Sequence, residues 1–91
     1  GELVAFLRMD GAPPSSIATA QGKARTAARF RRPTRALDST IVAGRASLLG
    51  LDAVPVEGGV PLLVGPAVVG AIGVSGVTSA QDAQVGRAGA A

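Results

Sequence analysis

The stretch Gly58–Gly76, GGVPLLVGPAVVGAIGVSG, constrains this chain more than any other. No charge falls between Val60 and Val77, a run long enough to suggest a membrane span. The residue types oppose a helix. Pro61, Gly65, Pro66, Gly70 and Gly73 each weaken one, whereas Val60, Val64, Val68, Val69, Ile72 and Val74 suit a pleated strand. Gly65-Pro66 divides the run into two pieces of strand length. The expectation is two antiparallel strands at the centre of a small sheet, buried on both faces because alternation is poor. No membrane partner is expected.

Composition limits what else can be built. The 91 residues predict a single domain, 1–91, and a chain this short holds a thin stability margin. Hydrophobic residues make up 47%, but many are alanine and valine, and Phe6 and Phe30 are the only aromatics. Small side chains bury little area each, so a homo-oligomer is expected to supply more. Cysteine, histidine and tyrosine are absent. That excludes disulfides, thiolate or histidine zinc sites, a histidine-based triad and a histidine or tyrosine haem ligand. No metal site is expected. No targeting segment is visible; the cytoplasm is favoured, with secretion left open.

Taken in order, residues 2–9 (ELVAFLRM) alternate like a half-buried strand, with Leu3, Ala5, Leu7 and Met9 on one face. Asp10-Gly11 and Pro13-Pro14 end it. Ser15 or Ser16 is expected to cap a helix to about Phe30, with Ile17, Ala20, Ala24, Ala27 and Ala28 facing the sheet and Gly22 facing away. Pro33 ends it, and Thr34 caps a second helix to about Ala43, closed by Gly44. Residues 45–57 read as a short helical turn or apolar loop. After the hairpin, Thr78 or Ser79 caps a last helix with Gln81 and Asp82 in its first turn and Val85 and Ala88 inward.

Five blocks stand in one order: RMDGA (8–12), KARTA (23–27), RPT (32–34), GGVP (58–61) and VVGAIGVSG (68–76) followed by Gln81-Asp82. Together they resemble the GlcG/HbpS family of haem-binding or haem-degrading-like proteins, across essentially the whole chain. The resemblance implies an α+β domain of profilin-like, three-layer α/β/α architecture around an antiparallel sheet. It also implies large homo-oligomers, and a helix and first strand ahead of Glu2-Leu3. The domain is therefore expected to be N-terminally incomplete. The family's usual Asp-Gly or Asn-Gly hairpin turn is replaced here by Gly65-Pro66, which still fits a turn.

Charge gives the clearest chemical signal. Of nine cationic residues, Lys23, Arg25, Arg29, Arg31, Arg32 and Arg35 fall in one stretch with no acid between them. Such a cluster suits an anion, such as a tetrapyrrole carboxylate, a small acid or a phosphate. A solvated helix face is the plainer account. Nucleic acid is not expected as a partner, because no aromatic residues interleave for base stacking. GVSGVTS (73–79) leads a strand into a helix N-terminus, where backbone N–H groups can hold an anion; ordinary turn chemistry with a serine or threonine cap is the plainer account. It lacks the lysine of a nucleotide-binding P-loop.

Candidate ligand-binding residues are Arg8, Met9, Lys23 and Arg32, with Thr34, Gly59, Ser75 and Gly76. Met9 is the one soft iron ligand, weighed against a core methionine. The leading expectation is a binding protein for a small-molecule ligand, with haem or a related tetrapyrrole held weakly as cofactor. The alternatives are a metal-independent lyase, isomerase or hydrolase using Asp10 or Glu57, and a structural or regulatory subunit. Whether the chain is an enzyme stays open.

Overall fold

A computed structural model of the chain describes residues 2–36, 54 and 56–91. Among them are helix α1 (Ser16–Phe30), strands β1 (Gly59–Val64) and β2 (Ala67–Gly73), and helix α2 (Ser79–Ala90). The hairpin expected from the apolar run is present. β1 and β2 pair antiparallel from Gly59↔Gly73 to Val64↔Ala67, with a register shift between Leu62 and Leu63. Gly65 turns the chain at φ 59°, and a glycine of this conformation ahead of Pro66 fits a II′-type hairpin turn.

The helices lie on opposite faces of the hairpin. Gly59 and Gly73 are partners, and a Cβ on either would strike the backbone of α1, at Lys23 and Ala20 respectively. The next pair, Val60 and Ile72, points the other way. Their methyl groups lie 3.1 Å and 3.3 Å from where Gly86 and Gly89 of α2 would carry a Cβ. The result is an α/β/α sandwich of the α+β class. Glycines that weaken a strand or a helix are here the surfaces on which the layers meet.

Several expectations are corrected. The hairpin is not buried on both faces: Gly59 is buried, but Leu63, Val64 and Val69 are 60%, 67% and 63% exposed, because neither helix reaches the tip. Residues 2–9 form no strand, and all are exposed, since alternation supplies a face but not a partner. Gly22 faces inward, against the Val54 side chain, and the buried face of α1 is Ser16, Gly22, Lys23, Thr26 and Ala27. The half-buried alanines flank it. Neither Ser15 nor Ser16 caps α1. Ser15 makes no side-chain cap bond, and the Ser16 hydroxyl donates back to the Pro13 carbonyl at 2.6 Å.

In α2 the inward residues are Asp82, Ala83 and Gly86, while Val85 is 57% exposed and Ala88 is exposed. A helical turn opens at Thr34–Ala36, but Thr34 is no cap, because its hydroxyl accepts from the Gly59 N–H at 2.9 Å. The remainder of the second helix and the apolar segment after it lie outside the described residues. No helix among the described residues is long and apolar enough to cross a membrane.

Candidate functional site: an arginine-flanked pocket on a buried polar scaffold

Gly58 leads into β1 and Gly59 starts it, at the point where α1, α2 and the Thr34 turn converge. Lys23, from α1, is 2% exposed. Its Nζ donates to Asp82 Oδ2 at 3.0 Å and to the Val74 carbonyl at 2.9 Å. Asp82 is equally buried, and its other oxygen accepts the Val77 N–H at 3.1 Å. Low dielectric makes such a pair costly to desolvate and very costly to break. No buried side-chain nitrogen or oxygen among the described residues lacks a partner.

The scaffold fixes the Gly58–Gly59 backbone from several sides. The Val74 N–H donates to the Gly58 carbonyl at 2.9 Å, and Gly59 donates to Thr34. Gly58 adopts φ 127°, and a Cβ there would fall 2.8 Å from Lys23 Nζ, so glycine is required twice over. Against this backbone sits a pocket of about 110 Å³ lined by Pro33, Arg35, Gly58, Gly59, Val60, Ala83 and Arg87. Arg35 and Arg87 are exposed, and no acid lines the pocket. The buried lysine and aspartate cancel, and the pocket's own lining carries two guanidinium groups. A carboxylate-sized anion suits the space and the charge.

The candidate residues are only partly gathered here. Gly59 lines the pocket, and Thr34 holds Gly59 in place. Lys23 lies directly beneath, committed to Asp82. Arg32 is exposed and lines neither of the two cavities described. Arg8 donates to the Ala12 carbonyl at 3.2 Å, and Met9 is 74% exposed rather than in the core. Asp10 and Glu57 line neither cavity. Ser75 and Gly76 lie in the loop before α2, where side chains already take the Val77, Thr78 and Gln81 N–H groups. Thr78 accepts from Gln81 N while Gln81 accepts from Thr78 N, a complete capping box, and Asp82 takes Val77 N. That helix start has its negative charge built in.

Arg87 stands alone in the sequence, 52 positions after Arg35 at the end of the basic stretch (87 minus 35), so nothing joined it to that cluster. The one available signal was its place in the last turn of a helix whose first turn carries Asp82. Arg25, from the basic stretch, lines a second and larger cleft of about 550 Å³ between α1, β2 and Glu2–Phe6.

A two-strand antiparallel sheet between helices, with a cationic pocket over a glycine pair, defines a small α+β domain with an anion-receptive corner. The chain belongs to the HbpS-like family: the family model described as haem degrading protein HbpS-like matches residues 1–91. It is 45% identical over 76 residues to protein GlcG of Escherichia coli K12, covering 82% of this chain and 57% of GlcG. A crystal structure of a Streptomyces reticuli HbpS double mutant superposes with TM-score 0.83 at 35% identity, covering 92% of this chain and 58% of that one. A PduOC–haem complex superposes with TM-score 0.83 at 26% identity, over 96% and 67% respectively. The chain thus spans a little over half the length of the GlcG and HbpS chains it matches.

Proposed function

We propose that this chain is a small-ligand-binding protein of haem-related type, in which the pocket between Arg35 and Arg87 receives a carboxylate of a tetrapyrrole. The observation that carries this reading is the pocket itself: two arginines, no acid, and a wall of glycine backbone held rigid by buried polar groups. Membership of a family described by haem degradation, and likeness to a solved haem complex, support tetrapyrrole as the ligand class. With no histidine, cysteine or tyrosine in the chain, affinity rests on carboxylate pairing and apolar contact, which suits weak and exchangeable binding. Self-association forms part of the reading, since the apolar hairpin tip at Leu63 and Val64 is well exposed.

The test is a haemin titration followed by the Soret band. The wild-type chain is expected to shift the band saturably, and Arg87→Ala to weaken binding about 10- to 100-fold, from the loss of about 1.5–3 kcal/mol typical of a charged hydrogen bond. Arg87 is exposed, so the variant is expected to keep its fold. No saturable shift with the wild type would overturn the proposal.

A further inference from the structure

The pocket against Gly58 and Gly59 changes character from rim to floor. Its rim is Pro33, Arg35 and Arg87, all exposed. Its floor is Gly58, Gly59 and Ala83, all buried, with half-buried Val60 between floor and rim. The cations therefore stand at the entrance. The interior side chains, Val60 and Ala83, are apolar, and two polar groups of the glycine wall are already engaged. The Gly58 carbonyl accepts from Val74 N, and the Gly59 N–H donates to Thr34. At the rim, the Arg87 side chain makes no hydrogen bond or ion pair among the described residues.

A tetrapyrrole carboxylate held at that rim leaves the floor unused. We propose that the floor takes the tail of a second class of ligand, a short, unbranched aliphatic monocarboxylate. It enters tail first and leaves its carboxylate between Arg35 and Arg87. Polarity decides the direction. A carboxylate pushed to the floor would give up its water for apolar side chains, whereas at the rim it pairs with guanidinium groups and stays in contact with solvent. Size decides the length. A cavity of about 150 Å³ holds a benzene ring, so about 110 Å³ at the same density holds a tail of about four carbons. Two cations with no acid beside them turn away amines, and an apolar floor turns away a second carboxylate at the far end of the tail. Both ligands depend on the pairing of a carboxylate with the two arginines, which is where this inference rests on the tetrapyrrole reading. The seat for the tail does not depend on it.

A chain-length series on the 91-residue chain, followed by NMR shifts of the Gly59 and Ala83 amides, tests this. Acetate, propanoate, butanoate, pentanoate and heptanoate are titrated as sodium salts. Affinity is expected to rise about fourfold per added methylene as far as pentanoate, as each methylene leaves water, and to gain nothing further at heptanoate. Contacts seen by nuclear Overhauser effects should join the terminal methyl of pentanoate to the Val60 and Ala83 methyls. Pentanamide, of the same shape without the charge, should bind about tenfold more weakly. Ala83→Val fills part of the floor, so in that variant pentanoate should bind no more tightly than propanoate. Equal affinity from acetate to pentanoate, or no binding by any of them, would overturn the inference while leaving haemin binding untouched. Equal affinity for pentanoate and pentanamide would overturn it too. The full chain-length effect in a chain that fails to bind haemin would uphold the tail seat and sink the tetrapyrrole reading instead.

Discussion

Asp82→Ala is expected to destabilise the chain by about 3–5 kcal/mol, because it leaves the Lys23 ammonium buried without its partner. A domain of this length holds only about 5–14 kcal/mol in total, so the variant should lose a large share of its stability. The substitution also strips the acceptor from Val77 N and removes the charge at the start of α2. Lys23→Met with Asp82→Leu should cost less than Asp82→Ala alone, since an apolar pair leaves no orphaned charge. The Val74 carbonyl would still lose its donor, at about 1–3 kcal/mol. Urea unfolding of Asp82→Ala and of the double variant measures this. Should Asp82→Ala cost under about 1 kcal/mol, the pair behaves as an exposed one and the scaffold described above is wrong.

Gly73→Ala is expected to cost about 3 kcal/mol or more, at or above the upper end of ordinary overpacking. A Cβ at this position would run into the Ala20 carbonyl and the Ala24 backbone nitrogen of α1. Backbone cannot rotate aside as a side chain can, so the helix must lift from the sheet. Gly70→Ala provides the control, because there a Cβ would meet only Leu62 Cδ1 at an ordinary 3.6 Å. Thermal unfolding should separate the two glycines by several degrees in Tm. Equal losses would mean that α1 does not rest on Gly59 and Gly73.

The hairpin was legible because β-branched residues, Gly65-Pro66 and the absence of charge all point one way, and the order of the five sequence blocks placed the family. The helix faces were less so. Periodicity arguments score alanine as inward and lysine as outward, yet Lys23 is more buried than Ala20, Ala24 or Ala28 because Asp82 and Val74 satisfy it from distant elements. A glycine carries no hydropathy signal, so Gly22 was expected to face away when it is a contact point, as Gly86 is too. The strand expected at residues 2–9 failed for a different reason: alternation marks a face, but a strand exists only with a neighbour.

The candidate site was half visible. GGVP and the RPT block pointed to Gly59 and Thr34, and these two meet at the pocket. Arg87 could not be joined to Arg35 from the sequence, because only the packing of α2 across β1 brings them together. The basic stretch divides in the structure: Lys23 turns inward, Arg25 lines the cleft and Arg35 lines the pocket. Helical geometry alone spreads such a run over several faces.

The central claim is that a carboxylate of a tetrapyrrole meets Arg35 and Arg87. It is tested most directly by comparing haemin with its dimethyl ester in equilibrium titrations of the same chain. The account predicts saturable binding of haemin and at least tenfold weaker binding of the ester, whose neutral side chains give the arginines nothing to pair with. Equal affinity for the two would contradict it.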